Sequence, residues 1–185
     1  IETLLYDKLV YLGFLKLIHQ TSESAALFRL LQLPCLKIDP NDIHILTAAA
    51  KKKSISYFEA LERVDEWGIT SPVLFTLAGL LQTAIQKSKT EKPTTLLYSF
   101  FEESGYLAYL AHEEDRGNRA IIRQIYQLKQ FFDEVTRFEE TVPDPHVAHF
   151  VAFIENILES GDEGKLFQST DTPDSVNIMS VHGSK

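Results

Sequence analysis

The sequence predicts a mainly α-helical, bundle-like domain that ends in one β-strand. Apolar residues recur at helical spacing over most of the first 160 positions, and capping residues or prolines separate these stretches. After Pro173 the pattern changes to an alternation of polar and apolar residues. A content of 44% hydrophobic residues in 185 positions is enough to form a core.

Three helices are predicted in the first third of the chain. The first covers Leu4 to Ile18 and has a broad apolar face. Thr21–Glu23 provides a cap for the second, which Pro34 ends. Asp39 and Pro40 begin the third, which runs into Lys51–Lys53, and cations in a last turn suit the helix dipole.

The middle of the chain predicts three further helices. Ser56 caps a short one that ends near Gly68. Ser71 and Pro72 open the next, whose apolar stripe reaches Ile85. A polar loop from 87 to 92 follows, and a helix over 94–104 then stops at a glycine.

The longest predicted helix runs from Glu113 to Glu139. Its predicted buried face consists of apolar residues at helical spacing, namely Ile122, Ile125, Leu128, Phe132, Val135 and Phe138. Asp144 and Pro145 begin a last helix, which continues to Leu158.

The end of the chain predicts a polar connector over 161–173 and a strand over 175–181. A lone strand cannot satisfy its own backbone groups, so we expect its partner strands to lie outside this sequence. The chain also begins at Ile1 without a methionine and stops at Lys185 directly after that strand. We therefore expect it to be a piece of a longer protein.

Composition limits the classes of partner. The 18 Lys and Arg residues against 26 Asp and Glu give a net charge of −8, which opposes strong sequence-independent attraction to nucleic acid. The single cysteine, Cys35, excludes an internal disulfide. Neither a secretory leader nor a membrane-length apolar run is evident, so the expected setting is the cytoplasm, without a membrane partner.

No catalytic residue is predicted in this chain. ATP hydrolysis of the P-loop type needs Gly-x4-Gly-Lys-Ser/Thr, and this motif is absent from the sequence. The segment Gly161–Leu166 has the wrong glycine spacing, two acids where phosphates would lie, and leucine in place of the hydroxyl. Cys35 has no activating base nearby in the sequence and is interpreted as a buried structural thiol.

No metal site is predicted either. His146 and His149 are three residues apart and could share a helix face, but no Cys, Asp or Glu is suitably paired with them. His112 precedes an acidic run that is typical of a solvated helix start. A metal hydrolase built on these three histidines is therefore disfavoured.

The one basic concentration is Lys51, Lys52 and Lys53, with Lys87, Lys89 and Lys92 as possible neighbours. These lysines are the candidates for phosphate contact. The alternative interpretation is a solvated helix end.

The tail over 174–185, Asp-Ser-Val-Asn-Ile-Met-Ser-Val-His-Gly-Ser-Lys, resembles the front half of motif V of superfamily 1A helicases of the UvrD/Rep/PcrA family. That pattern reads roughly V-x-[IL]-M-[TS]-[VLI]-H-x-[SA]-K. The segments Tyr6–Ile18 and Ala26–Pro34 resemble the family's entry into its helical insertion. The resemblance covers the whole chain and is most specific at its end.

This resemblance implies that residues 1–173 form subdomain 2B, the helical insertion, with 1–20 bordering subdomain 2A. Residues 174–185 would be a returning 2A strand, which belongs to a RecA-like sheet, with part of motif V. It also implies that the parent binds ATP and Mg between motor subdomains 1A and 2A, which are partners in the same chain. No cofactor is expected in this piece itself.

By the same resemblance, Ser180 and His182 match the positions at which motif V approaches single-stranded DNA. Ser184 and Lys185 continue the motif. A hydroxyl and an imidazole at the end of a strand suit hydrogen bonds to phosphates or bases.

The sequence departs from the family at 35–40, where many relatives carry a Gly-Ile-Gly-like turn that presents backbone amides to duplex DNA. Glycine is absent here, so that close backbone approach is harder. Two functions are therefore expected to compete, namely duplex contact through Lys51–Lys53 and autoinhibition or protein docking through an acidic helical surface. The alternative class is a free-standing helical protein-interaction module.

Overall fold

The computed structural model describes the backbone of residues 2–159 and the side chains of 9–157 and 159. Within that range the chain is helical, which confirms the mainly α fold class. The helices are α1 (Glu2–His19), α2 (Ser24–Leu31), α3 (Pro40–Lys53), α4 (Tyr57–Glu62), a 3₁₀ helix (Val64–Trp67), α5 (Pro72–Lys87), α6 (Pro93–Glu103), α7 (Tyr106–Asp115), α8 (Arg119–Thr141) and α9 (Val147–Glu159). The predicted strand lies outside the described residues.

Helix α1 occupies the centre of the bundle. It contacts α2, α5, α6, α8 and α9, so few of its faces reach solvent. Its buried side chains lie on every side of the helix and are Val10, Tyr11, Leu12, Phe14, Leu15, Leu17 and Ile18. Gly13 lies against α2, where an added Cβ would stand 3.5 Å from the Cβ of Ala26. The predicted broad buried face is therefore confirmed and extends almost around the helix.

Aromatic rings surround the middle of α1. The ring of Tyr11 lies 5.4 Å from that of Phe101 and 5.6 Å from that of Phe131, so one side chain joins α6 and α8. Its hydroxyl lies 3.1 Å from the hydroxyl of Tyr106 on α7, with either oxygen as donor. One turn on, Phe14 stacks on Phe100 at 4.2 Å. These contacts fix how four helices meet.

Capping residues set the helix starts that the sequence predicts. The Asp39 side chain accepts a hydrogen bond from the amide of Asn41 at 2.8 Å, and Pro40 occupies the first turn of α3. Ser56 caps α4 by accepting from the amide of Glu59 at 3.1 Å. Pro72 begins α5 as expected. Local side-chain chemistry is sufficient for these boundaries, which explains why they were predictable.

The segment after Ser56 is divided rather than one helix. α4 ends at Glu62 and a 3₁₀ turn carries the chain to Gly68, whose φ of 74° closes it. The indole nitrogen of Trp67 donates to the carbonyl oxygen of Ala60 at 2.8 Å and holds the turn against α4. The predicted end near Gly68 is confirmed.

The predicted single helix from Glu113 to Glu139 is wrong. α7 ends at Asp115, Gly117 adopts a φ of 76°, and α8 begins at Arg119. The side chain of Asn118 accepts from the amide of Ala120 at 3.2 Å and caps α8. A left-handed glycine followed by asparagine thus ends one helix and starts the next, although apolar periodicity continues on both sides.

The buried face of α8 is rotated from the predicted one. Leu128, Val135 and Phe138 are buried as expected, but Ile122 is 52% exposed. Ile121 and Phe131 are buried in addition, since α8 packs against α1, α6 and α7. Apolar doublets at 121–122 and 131–132 leave the sequence unable to choose between the two faces.

A carboxylate from α8 caps α6. No side chain at the start of α6 caps its first turn, because the N-cap residue is Lys92. The two carboxylate oxygens of Glu139 accept instead from the amide of Thr94 at 2.7 Å and from its hydroxyl at 2.8 Å. This capping interaction joins two helices that are 45 residues apart in the sequence.

The connection over 32–39 carries the single cysteine. Cys35 is half-buried and packs against the core. Burial raises the pKa of its thiol from 9.0 to about 11, while hydrogen bonds from the backbone amides of Cys35 and Leu36 lower it by less. A thiol in this setting is mostly protonated at neutral pH.

The last described helix, α9, begins at Val147, three residues after the predicted cap at Asp144. It packs on α1, and the amine of Lys16 donates to Glu155 at 2.9 Å. None of the helices between residues 2 and 159 is both long and apolar enough to cross a membrane.

We expect Glu139→Ala to lower the free energy of unfolding by about 1–2 kcal/mol, because the amide and hydroxyl of Thr94 lose their acceptor in a partly buried position. Urea unfolding followed by circular dichroism measures this change. The matched control is Glu140→Ala at the neighbouring exposed position, which we expect to change stability by less than about 0.5 kcal/mol. Equal effects of the two variants would contradict the capping role.

We expect the stability contributed by Cys35 to fall as pH rises from about 9 to about 11, because the unfolded thiol ionises first while the folded one stays protonated. Urea unfolding at pH 8 and pH 10.5, compared between the chain and Cys35→Ser, isolates this dependence from other titrating groups. Alkylation by iodoacetamide at pH 8 should also be slower in the folded chain than in urea. Equal rates would refute the protected thiol.

Candidate functional site

The three lysines of the basic cluster, Lys51–Lys53, form the last turn of α3, and all three are exposed. The helix ends there because Ser54 adopts a left-handed φ of 55°. The amide of Ile55 then donates to the carbonyl of Ala50 at 3.1 Å, and the amide of Ser54 to that of Lys51 at 3.3 Å. Three cations are therefore held at one well-defined helix end.

Acidic side chains lie next to this cluster. Arg63 donates to Glu66 through two nitrogens, the shorter contact being 2.6 Å. The hydrogen bond from Arg63, and to a lesser extent the charges of Arg63 and Lys53, lower the pKa of the Glu66 carboxyl. Arg63 also lies over the ring of Trp67 at 5.4 Å. The surface is consequently a mixture of cations and carboxylates rather than a uniformly basic patch.

The second group of lysines belongs to other elements. Lys87 ends α5 and pairs with Glu91 at 3.9 Å. α3 packs on α4 and the 3₁₀ helix, whereas α5 packs on α1, α4 and α6. The joining of Lys87, Lys89 and Lys92 with the α3 cluster thus remains a prediction.

Two of the three singled-out histidines meet at the start of α9. His146 lies 3.1 Å from the carboxylate of Asp144, and the Nδ1 atom of His149 lies 3.2 Å from the carbonyl oxygen of the same residue. His112 belongs to α7. Among residues 2–159, no group of three His, Cys, Asp or Glu side chains comes together as metal ligands do.

Several predicted positions lie outside the described residues. They are the motif V residues Ser180, His182, Ser184 and Lys185, and the glycine-rich segment at 161–166. Their roles therefore stay predictions. Cys35 is described, and a thiol with a raised pKa is the opposite of an activated nucleophile.

A groove of about 580 Å³ between α2 and α3 was missed in the sequence. Apolar side chains form most of its wall, and Phe28 is 39% exposed beside it. Other residues that line it are Leu33, Pro34, Ile38, Ile43 and Thr47. The available signal was a short connection between two prolines, Pro34 and Pro40, preceded by an aromatic residue that the helix does not bury.

Comparisons with known proteins found distant relatives among DNA helicases, and no family model matches the chain. The chain is 22% identical over 177 residues to ATP-dependent DNA helicase PcrA of Staphylococcus epidermidis, which covers 94% of the chain and 23% of that protein. PcrA of Staphylococcus aureus matches with the same identity and coverage.

A second kind of relative is an ATP-dependent helicase/nuclease of Bacillus licheniformis. The matched polypeptide of that enzyme is 25% identical over 182 residues, which covers 95% of the chain and 14% of the relative. The chain therefore spans less than a quarter of the length of these curated relatives. Similarity along nearly the whole chain supports a distant relationship to superfamily 1 DNA helicases.

Proposed function

We propose that this chain is the accessory subdomain 2B of an ATP-dependent UvrD/Rep-type DNA helicase, with the returning 2A strand and partial motif V at 174–185. The main support is similarity that covers 94% of the chain but only 23% of a helicase. A sequence without a P-loop motif fits a part that acts by contact and orientation. ATP and Mg would be bound by motor subdomains 1A and 2A, which would supply the chemistry.

Within this function, the described surface bears on two modes of action. Exposed lysines at a fixed helix end could contact duplex phosphates. Glu66 next to Lys53, and the net charge of −8, oppose strong attraction to DNA. We therefore infer that DNA contact is weak outside the parent protein and that partner docking or restraint of unwinding is the larger role. The cytoplasm is the proposed setting.

The alternative is a free-standing helical interaction module, and the surrounding reading frame distinguishes the two. We expect a Walker A motif upstream of Ile1 and Gly-Leu-Glu after Lys185, because motif V and the ATP site belong to the same motor. Sequencing the complete gene tests this. A reading frame without either motif would overturn the helicase proposal and leave the interaction module.

We expect weak binding of a single-strand/duplex DNA junction that is lost as salt rises and lost when Lys51, Lys52 and Lys53 are all changed to Glu. Fluorescence anisotropy of a labelled junction, titrated over salt, measures both effects. The same three lysines changed to Gln separate the loss of positive charge from an unfavourable acidic helix end.

The matched control for this charge reversal is the triple variant Arg119→Glu, Arg123→Glu and Lys129→Glu. These three residues are exposed on α8, so the control alters the net charge equally at another surface. Equal loss of binding in both triple variants would indicate general charge repulsion. Absence of binding even at low salt would remove duplex contact and leave docking or restraint as the mode of action.

A further inference from the structure

The groove between α2 and α3 is suited to apolar side chains. Its volume of about 580 Å³ falls within the range of roughly 300–1,000 Å³ that is typical of ligand sites. Phe28 forms part of the wall and remains 39% exposed, with its ring 6.4 Å from that of Tyr57. Ile38 and Ile43 add branched apolar surface on the other side. An exposed aromatic residue beside a concave apolar wall is typical of an interaction site.

The same groove offers few donors for phosphate. Pro34 and Pro40 have no backbone N–H, and the amide of Leu36 is bonded to the carbonyl of Leu33 at 3.0 Å. The amides at the start of α3 are used in the same way, because Asp39 accepts them through its side chain and its carbonyl oxygen. A duplex backbone would therefore find little to bind here apart from one lysine.

The charge at the groove selects the partner further. Lys37 and His44 line it and are exposed, and no carboxylate lines it in the described part of the chain. A cation at the edge of an apolar groove favours a ligand that carries a carboxylate next to its apolar face. The surface is local and positive in a chain whose net charge is −8.

We propose that this groove binds an amphipathic helical segment of a partner protein, one that places two or three large apolar side chains between α2 and α3 and an acidic side chain beside Lys37. The proposal gives a site and a chemistry to the docking mode of the proposed function, on which it rests for its biological context. Its test is separate, since a negative peptide result would leave the outcome of gene sequencing unchanged.

The test uses the 185-residue chain and a fluorescein-labelled, alanine-based helical peptide with two leucines and a phenylalanine on one face and glutamates beside them. A second peptide has lysine in place of glutamate, and a third has serine in place of the apolar residues. We expect the acidic apolar peptide to bind about tenfold more tightly than the lysine peptide and the serine peptide not to bind.

Two variants assign the binding to the groove. Phe28→Ala should weaken the acidic peptide at least about fivefold, and Lys37→Glu should reverse the preference between acidic and lysine peptides. Lys89→Glu, at an exposed position on the 88–92 connection, is the matched control and should change neither. Thermal unfolding followed by circular dichroism verifies that each variant is folded.

Three results would overturn the proposal: no binding of the acidic apolar peptide, equal affinity for acidic and lysine peptides, or unchanged binding by folded Phe28→Ala and Lys37→Glu. A 12-base-pair DNA duplex is included as a competitor. Displacement of the peptide by this duplex, together with loss of duplex binding in Lys37→Glu, would reassign the groove to nucleic acid.

Discussion

The packing of α1 inside the bundle is the constraint on which the rest of the structure depends. This helix is buried on nearly all sides, and the ring of Tyr11 contacts side chains from α6, α7 and α8. Gly13 lets α2 approach closely at Ala26. Because one helix provides a surface for five others, the positions of α2 and therefore of the groove follow from how α1 is packed.

The two surfaces of functional interest both involve α3 but differ in chemistry. At its first turns, α3 presents an apolar wall with Lys37 and His44 nearby. At its last turn it presents three lysines next to the Arg63–Glu66 pair. An apolar groove contributes affinity through burial, whereas an exposed charge cluster contributes long-range attraction that salt weakens. One helix could thus serve two partners through opposite ends.

Local chemistry explains which features the sequence predicted. Asp39–Pro40 and Ser56 mark helix starts because a cap acts on amides two or three residues away. The break at Gly117 was missed because apolar periodicity continues across it, and α7 was missed with it. The groove and the proximity of Glu66 to Lys53 depend on how separate elements meet, so neither can be inferred from residue spacing. Lys51–Lys53 were found as a charge run, but their acidic surroundings were not.

The pairing of α1 with α9 has a consequence for synthesis of the chain. Lys16 and Glu155 are in contact although they are 139 residues apart in the sequence. At roughly 5–20 residues per second, a ribosome exposes α1 roughly 7–28 s before its last partner exists. During that interval Tyr11, Phe14 and Leu15 have no complete core to enter, so the nascent helix is a natural substrate for chaperones that bind apolar segments.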